Sequence, residues 1–507
     1  MFIRKKKNRS GSVSIQIVSK AKRRYEVVKT IGCATMLQEI ERLELQARQE
    51  LKTLMQQAEL FESEHDKVVE AAFSLLHNSS IRTIGPELVF GRIFDYIGFG
   101  QIQEEMFRHL VIARLAFPLS KLKTVEYLHR YQGVNLEISA VYRHMDKLNS
   151  KLKGKVEQIA YAHTRRVLGG DICIVFYDMT TLYFEAADED DLRKTGFSKD
   201  GKHQNPQIYI GLLVGPGGYA IGYDIYEGDT FEGDTLIPFL ENISSRFDIG
   251  KPVVVADAGL LSDKNIRALE ERQYQYIIGA RLKNETEQIK QQMAGRQYSD
   301  GAFFVIKKEK GRRLIVHYSA KRAAKDAYNR ERGLKRLEKR MKSGRLNKSN
   351  INNRGYNKYL RLTGEITIEI DYDKFNQDKV WDGLKGYITN TPLKEEQILE
   401  NYKNLWHIER AFRMSKTDLR IRPIYHRLRR RIEAHICISF TAYAIYKELE
   451  RVLKEENSSL SLIKASELTH NIYQITYMLP DSKHIKTRVL KMDQQQQELI
   501  NLITKNF

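Results

Sequence analysis

Three acidic residues stand in sequence contexts that can bring carboxylates to one metal site. Asp178 follows an apolar run at residues 172–177, and Asp257 follows a second apolar run at residues 253–256. Glu409 lies within a predicted helix. Because neighbouring strands can end at one edge of a sheet, we expect the two aspartates to converge there and the glutamate to complete the set. Carboxylates of this kind hold two Mg²⁺ ions, which activate a nucleophile and stabilise the leaving oxygen during phosphodiester cleavage.

The composition predicts a globular, multidomain protein with a polyanionic partner. The chain has 507 residues, 42% of them hydrophobic, and a net charge of +20, which suits DNA binding. No apolar run reaches the roughly 18 residues of a membrane-spanning helix, and the first residues lack the apolar core of a signal peptide. The distant cysteines Cys33, Cys173 and Cys437 support neither a disulfide framework nor a zinc site. We therefore expect a cytoplasmic protein in a reducing setting.

The order of the predicted elements is that of a ribonuclease H-like fold. Strands, helices and Glu409 follow the order βββαβαβ and then a later helix, with the first seven elements at residues 172–177, 207–214, 219–226, 235–247, 252–256, 263–271 and 274–278. The predicted class is therefore α/β, with a ribonuclease H-like catalytic core at residues 166–282 and 389–450. Residues 283–388 interrupt this core as an insertion whose ends look extended, at residues 303–306, 313–318 and 365–370.

Three further regions flank the predicted core. Residues 1–36 are predicted to form a basic hairpin arm, because residues 1–30 hold ten Lys/Arg and one acid and contain two alternating stretches. Residues 37–165 have helical periodicity and are expected to form a helical DNA-binding region. Residues 451–507 are expected to form a C-terminal helical region.

Two patterns within the N-terminal helical region leave alternatives open. Apolar residues from Ile40 to Phe61 step by three and four, which predicts one helix that faces either a core or a dimer seam. Helical stretches at residues 124–131 and 137–148 flank Gly133. This arrangement fits a DNA-binding helix-turn-helix, and it fits an ordinary helical hairpin equally well.

A strongly basic segment lies within the predicted insertion. Residues 321–348 hold twelve Lys/Arg and three acids, a net charge of +9. Leu334 and Leu337 begin a narrow apolar stripe at helical spacing. A run of charges is often only a solvated face, but the bias in sign favours an arm that contacts phosphates, with Lys335 and Arg336 as DNA-binding candidates.

The residues around Glu409 have an unusual composition for a helix face. Tyr402, Trp406, Glu409, Arg413 and Lys416 are separated by four, three, four and three residues, so they share one side of a helix. A core-facing stripe would not combine a glutamate with an arginine and a lysine. A face toward DNA would, because the carboxylate binds metal, the cations bind phosphate and the aromatic rings contact a base or sugar.

The chain resembles bacterial insertion-sequence transposases of the DDE type, the group with a Y-x2-R-x3-E-x6-K signature on the glutamate helix. Tyr402, Glu409 and Lys416 match that spacing, whereas Leu405 stands at the arginine position. The resemblance extends from the basic start to about residue 450, and its other similar stretches are residues 176–181, 196–202, 256–260 and 422–426.

The resemblance implies an Mg²⁺-dependent DDE transposase that cleaves strands at element ends and then directs the freed 3′-hydroxyl onto target DNA. Asp178, Asp257 and Glu409 would be both the catalytic residues and the ligands of two Mg²⁺ ions, for which Mn²⁺ is expected to substitute. The expected partners are double-stranded DNA, as terminal inverted repeats and as target, and a second copy of the chain in a homodimer. No membrane partner is expected, and the location would be the bacterial cytoplasm at the nucleoid.

The resemblance also names residues that would contact DNA. Tyr402 and Lys416 would contact phosphates near the cut, and Arg413 is a candidate to supply the charge that Leu405 lacks, with Arg410 as the alternative. In similar proteins the insertion is largely β-stranded and grips the element end, so the resemblance implies a largely β insertion at residues 283–388. Trp381, which lies in this insertion, is a candidate for stacking on a flipped base, with core packing as the alternative. Lys199 either lines the phosphate path or is a solvated loop residue.

Two alternative functions remain open from the sequence. A ribonuclease H-like nuclease would cut DNA without joining strands. A catalytically silent DNA-binding protein derived from a transposase would do neither. The sequence does not specify the terminal repeats, the target preference, the cleavage intermediate or whether the element is active.

Overall fold

The structure is a computed structural model that describes residues 1–21, 24–55, 64–347, 350–352, 355–363 and 367–507. Its strands are β1 (Phe2–Lys7), β2 (Val13–Ala21), β3 (Arg24–Ala34), β4 (Ile81–Thr83), β5 (Ile174–Tyr183), β6 (Gln207–Val214), β7 (Ala220–Glu227), β8 (Val253–Ala256), β9 (Tyr276–Ala280), β10 (Phe303–Lys307), β11 (Arg313–Tyr318), β12 (Leu360–Thr363), β13 (Thr367–Ile370), β14 (Leu384–Thr389), β15 (Tyr473–Met478) and β16 (Ile485–Val489).

The α-helices are α1 (Leu37–Leu54), α2 (Glu64–Ser74), α3 (Arg92–Ile97), α4 (Glu105–Ala116), α5 (Lys121–Tyr127), α6 (Ile138–Lys151), α7 (Lys153–Val167), α8 (Leu236–Arg246), α9 (Asp263–Glu271), α10 (Glu287–Ala294), α11 (Ala320–Lys342), α12 (Tyr372–Gln377), α13 (Glu395–Lys403), α14 (Trp406–Thr417), α15 (Arg429–Glu455), α16 (Leu462–Thr469) and α17 (Gln494–Asn506). The described elements form two compact units.

The first unit comprises residues 1–89, 126–135 and 458–507 and contains two antiparallel sheets. One sheet has the order β1-β2-β3, and α1 packs on it. Alternating Ile15 and Ile17 of β2 are fully buried, as expected for a strand with one face against a helix. The other sheet has the order β16-β15-β4 and joins the N-terminal part of the chain to its C-terminal part.

The first unit differs from the predicted regions in several respects. β2 and β3 form the predicted hairpin, but β1 adds a third strand that was not predicted. The C-terminal region is not only helical, because it contributes β15 and β16. The pairing of β15 with β4 joins distant residues, which no local pattern reveals. In the predicted helix from Ile40 to Phe61, α1 ends at Leu54, while Ala58 and Phe61 lie outside the described residues.

The second unit, residues 90–125 and 136–457, is built around a mixed eight-stranded sheet. The strand order is β10-β11-β14-β9-β8-β5-β6-β7. Only the β5–β8 and β8–β9 pairs are parallel. The first seven elements of this sheet region, from β5 to β9, follow the predicted order βββαβαβ, with α8 and α9 as the two helices.

The two faces of this sheet pack against different helices. Val175, Tyr177 and Met179 of β5 belong to one buried apolar cluster with residues of α8 and α9. Strand side chains alternate between the faces, so the even-numbered residues of β5 point the other way. Phe176 accordingly lies 6.4 Å, ring to ring, from His407 of α14. The face on the α14 side is therefore the one that Asp178 shares.

The longest helix, α15, packs on the α14 side of the sheet and is buried along most of its length. Its buried acids are paired, because Glu448 accepts from His163 at 3.3 Å and from Arg451 at 2.5 Å, and Glu450 pairs with Lys447. Buried charges need such partners. Across the described ranges, no helix is long and apolar enough to cross a membrane.

The prediction that the insertion is largely β is wrong. Its longest element is the 23-residue helix α11, which is rich in the helix formers Ala, Arg, Lys and Glu. β10 and β11 extend the main sheet through β14 instead of forming a separate β domain. Only β12 and β13 form a sheet of their own, over a small core with Leu337 of α11. Lys348 of the basic segment and Glu365 lie outside the described residues.

We expect Phe239→Ala to destabilise the second unit by about 3–5 kcal/mol, because removing a fully buried ring leaves a cavity. Phe239 is 0% exposed and its ring centroid lies 4.6 Å from that of Tyr177. Denaturant unfolding followed by circular dichroism measures the change. The control Phe231→Ala removes a ring that is 69% exposed and should alter stability by less than about 0.5 kcal/mol. Equal losses in both variants would contradict the assignment of Phe239 to the core.

Candidate active site

Strand pairing places Asp178 and Asp257 side by side. The parallel register of β5 and β8 ends with Tyr177 opposite Ala256, so the next residue on each strand is an aspartate. Adjacent strands lie about 4.8 Å apart, which brings the two carboxyl groups into one small region. The sequence predicted that Asp178 stands at the end of its strand. This prediction is wrong, because β5 continues to Tyr183 through its pairing with β6.

Both aspartates face the α14 side of the sheet. Val254 and Ala256 belong to the apolar cluster on the opposite face, so alternation directs Val255 and Asp257 away from that cluster. Asp178 faces the same way for the same reason. Backbone amides fix the two carboxylates, since Met179 N–H donates to Asp178 Oδ1 and Gly259 N–H donates to Asp257 Oδ1, each at 2.7 Å.

Glu409 lies on α14, but the predicted single helix through Tyr402 and Glu409 is interrupted. α13 ends at Lys403 and α14 begins at Trp406. Leu405, at the family's arginine position, is 7% exposed, so an apolar side chain anchors the junction. Glu409 is exposed in the first turn of α14.

Tyr402 connects the three acids electrostatically. Its phenol is buried, which raises its pKa, and the negative charges of Asp257, Glu409 and Asp178 raise that pKa further. The Tyr402 hydroxyl group is therefore within electrostatic range of all three predicted catalytic residues. A Cβ atom on Gly279 would lie 2.4 Å from the Tyr402 hydroxyl oxygen, so only glycine leaves room for this ring at that point of β9.

Lys385 contacts the ring of this tyrosine. Its Nζ is 4.4 Å from the centroid of the Tyr402 ring, within the range of a cation–π interaction. Burial and the charge of Arg322 lower the pKa of Lys385, and Glu409 opposes that change. A cation thus accompanies the glutamate, and sequence analysis did not identify it.

Lys199 supplies the positive charge beside Asp178. Its Nζ lies 3.4 Å from Asp178 Oδ1, 2.8 Å from Glu232 Oε1 and 2.6 Å from the carbonyl oxygen of Met179. Burial raises the pKa of Asp178 to about 6, and Asp257 and Glu232 add to the rise while Lys199 opposes it. Burial of Lys199 disfavours its ammonium form, but the neighbouring acids more than offset this and raise the pKa of Lys199.

Lys416 is held in a second polar group next to the first. Its Nζ lies 3.1 Å from Asp200 Oδ2, and Arg422 Nη1 lies 2.5 Å from the same oxygen. Burial lowers the pKa of Lys416, while Asp200 opposes that change. Lys416 therefore faces the loop that carries Lys199 and Asp200, and it is not an isolated cation on a helix face.

The remaining predicted DNA-binding residues lie on α14, on α11 and just before β14. Arg413 is exposed on α14, whereas Arg410, the other substitute for the missing arginine, pairs with Glu450. Trp381 packs against the apolar core formed by β11, β14 and their neighbours, in agreement with the core-packing alternative. Lys335 and Arg336 are exposed on α11.

The side chains around Asp178 have the chemistry that a hard divalent cation requires. Asp178, Asp257 and Glu232 supply only oxygen donors, which Mg²⁺ prefers. Burial raises the pKa of Asp178, and the charges of Asp257 and Glu232 raise it further, so a bound cation would favour the ionised form of this carboxyl group. Within the ranges that the structure describes, no three His, Cys, Asp or Glu side chains are grouped closely enough to hold a metal ion.

Sequence analysis missed Glu232, Asp200 and Lys385. Asp200 lies within the stretch at residues 196–202 that resembles the family, so its position was available as a signal. Glu232 lies in a short turn between β7 and α8, where no apolar run marks a strand end. Lys385 lies in β14, whose pairing with β9 brings it to the site from a distant part of the sequence.

Comparisons with known proteins give a family and, among solved structures, distant likenesses. The model of a family described as Transposase DDE domain matches residues 169–445, which is more than half of the chain. No curated protein matches the sequence. A cryo-EM structure of a piggyBac transposase synaptic complex with hairpin DNA aligns over 76% of this chain and 78% of that chain, with 9% identity and a TM-score of 0.39.

We expect Asp178→Asn to stabilise the metal-free protein at pH 7.5 by on the order of 1–3 kcal/mol. The folded-state pKa of about 6 lies above the unfolded value of about 3.9, so the folded state binds the proton more tightly. Wild-type stability therefore falls as pH rises from about 4 to 6, and the asparagine removes that loss.

Denaturant unfolding in EDTA between pH 4 and pH 8 measures this effect. The stability gain of Asp178→Asn should shrink toward pH 4. The matched control is Asp171→Asn, whose side chain is 93% exposed and whose stability should follow the wild type at each pH. A variant that is less stable than the wild type at pH 7.5 would contradict the proposed cost of the Asp178 charge.

Proposed function

The chain belongs to the family of transposase DDE domains, and we propose that it is a DDE transposase that cleaves DNA strands at element ends and joins them to target DNA. The observation that carries this proposal is the register that sets Asp178 beside Asp257. The shared electrostatic neighbour Tyr402 links both aspartates to Glu409. These are the three acids that match the family's motifs.

We infer a ribonuclease H-like core from the topology of the main sheet. The elements from β5 to β9 run in the order βββαβαβ. β6 is antiparallel to both of its neighbours, and β8 and β9 continue in parallel from β5. This order supports a sheet edge at which the two aspartates meet and a later helix that brings the third acid.

Asp178, Asp257 and Glu409 would hold two Mg²⁺ ions, for which Mn²⁺ would substitute. When bound, such ions activate the attacking oxygen and stabilise the leaving oxygen. The ammonium group of Lys199 offsets the charge of Asp178 in their vicinity. Tyr402 is held in place by Gly279 and Lys385, a placement suited to orienting a DNA end.

Double-stranded DNA is the proposed substrate, as both element end and target. The basic helix α11 supports this, because Lys335 and Arg336 are exposed and available to phosphates. On α14, Arg413 is exposed as well. An element has two ends, and we propose an active complex of two copies of the chain that act on them together.

Removing a carboxylate from the proposed metal site should abolish cleavage without abolishing DNA binding. We expect Asp178→Ala, Asp257→Ala and Glu409→Ala each to reduce Mg²⁺-dependent cleavage by at least about a hundredfold, because metal ions supply several kcal/mol of stabilisation in the transition state. Gel analysis of labelled duplexes that carry an element end measures cleavage and joining together, and circular dichroism verifies folding.

Asp171→Ala provides the matched control, since its exposed side chain lies outside the proposed site. It should cut and join at the wild-type rate. A folded triad variant that also cuts at the wild-type rate would remove that residue from the metal site. Cleavage by the wild type without any joined product would instead favour a nuclease.

The exposed cations of α11 should contribute affinity that does not depend on DNA sequence. The double variant Lys335→Gln/Arg336→Gln should flatten the slope of log affinity against log salt by about 0.9 for each phosphate contact that is lost. Fluorescence anisotropy with a duplex between 50 and about 200 mM salt covers the useful range.

The control double variant is Lys264→Gln/Lys290→Gln. Both lysines are already held in ion pairs, with Asp234 and Glu287, so their removal should leave the slope close to that of the wild type. If both double variants have the wild-type slope, α11 faces solvent in the complex.

A further inference from the structure

A cavity of about 600 Å³ in the second unit has a strongly cationic wall. It lies between α4, α5, α15 and the segment that follows α14. The basic side chains that line it are Arg114, Lys121, Arg420, Arg422, His426 and His435. None of the described residues that line it is acidic. A cavity with this lining suits an anionic ligand.

Two of these cations are buried without a counter-charge. Arg114 is 5% exposed and Lys121 is 4% exposed, and neither forms an ion pair with a residue that the structure describes. Arg114 only donates weakly, at 3.5 Å, to the carbonyl oxygens of Leu419 and Arg420. Burial lowers the pKa of Lys121 well below its usual range, and Arg114 lowers it further. Unpaired buried charges are costly, so this pair calls for a ligand.

The two histidines respond to the same excess of positive charge. Burial lowers the pKa of His426 to about 4, with further lowering by Lys121 and Arg114. His435 Nε2 lies 2.9 Å from the carbonyl oxygen of Ile421, and its buried Nδ1 has no hydrogen-bond partner among the described residues. An unsatisfied buried polar atom and two unpaired cations therefore adjoin one cavity.

A chain of polar contacts connects the cavity with the proposed catalytic residues. Arg422 lines the cavity and contacts Asp200, which also contacts Lys416. Asp200 lies next to Lys199 in sequence, and Lys199 contacts Asp178. At the mouth of the cavity the Tyr425 side chain is 70% exposed. A DNA strand that leaves the carboxylates along these cations would thus arrive at the cavity.

We propose that this cavity binds one backbone phosphate of the DNA strand that is cut, with Lys121 and Arg114 as its innermost ligands. The proposal rests on the proposed function for the identity of the strand. Charge-assisted hydrogen bonds from lysine and arginine suit a phosphate oxygen, and such contacts fix the register of a protein on DNA. A free phosphate-bearing molecule has the same chemistry, and the experiment separates the two sources.

The test is a scan of neutral methylphosphonate linkages along a duplex that carries an element end, with affinity measured in EDTA. For the wild type, one linkage outside the cleavage site should weaken binding, because it removes the charge that the cavity recognises. In Lys121→Met that linkage should have no effect, and the salt slope should fall by about 0.9. Lys123→Met, a control on the same helix with an exposed side chain, should keep the effect of the linkage.

One further measurement and one further variant distinguish loss of the phosphate contact from misfolding of Lys121→Met. Lys121→Met should raise the unfolding temperature of the free protein, because it removes an unpaired buried charge, whereas loss of a purely structural lysine would lower it. Arg420→Gly offers a second variant at the cavity wall that tolerates the local backbone, since Arg420 has φ of 45°. It should weaken the same linkage effect.

The outcomes separate the cavity from the catalytic proposal. A Lys121→Met protein that retains the full linkage effect would overturn the phosphate assignment. Inorganic phosphate could instead stabilise the wild type but not Lys121→Met, while no methylphosphonate linkage weakens DNA binding by the wild type. That result would show that the phosphate bound in the cavity does not come from DNA. A wild type that shows the linkage effect but never cleaves DNA with Mg²⁺ would contradict the proposed function while leaving the phosphate site in place.

Discussion

The parallel pairing of β5 with β8 is the constraint on which the rest of the site depends. It ends at Tyr177 and Ala256 and so fixes two carboxylates, Asp178 and Asp257, side by side, each directly after a buried apolar run. Burial raises the pKa of Asp178, and the neighbouring charges of Asp257 and Glu232 raise it further, because both burial and nearby like charges favour the protonated form of a carboxyl group. A stable arrangement therefore needs positive charge near Asp178 or space for a cation.

The surrounding structure meets that requirement in layers. Lys199 offsets the charge at Asp178 itself, and Lys385 contacts the Tyr402 ring within electrostatic range of Glu409. Lys416 and Arg422 share Asp200 as their counter-charge. No acid lies among the described residues that line the cavity at Lys121, so this lining is favourable for a polyanion.

Local sequence patterns predicted the elements that hold Asp178 and Asp257, because buried strands have continuous apolar runs. They predicted neither the continuation of β5 to Tyr183 nor the entry of β10 and β11 into the main sheet, since both depend on pairing between distant strands. The break before α14 was not predicted because the residues there are compatible with a continuous helix. The burial of Leu405, which anchors the junction, depends on tertiary contacts that no local pattern reveals. Glu232 and Lys385 were not predicted because only the folded chain brings Glu232 near Asp178 and Lys385 against the Tyr402 ring.

Anomalous X-ray diffraction from crystals of the protein with an element-end duplex and Mn²⁺ tests the central claim most directly. The account predicts Mn²⁺ density within about 2.0–2.6 Å of carboxylate oxygens from both Asp178 and Asp257, with Glu409 as a further ligand. Mn²⁺ bound elsewhere in the complex, with neither aspartate as a ligand, would contradict it.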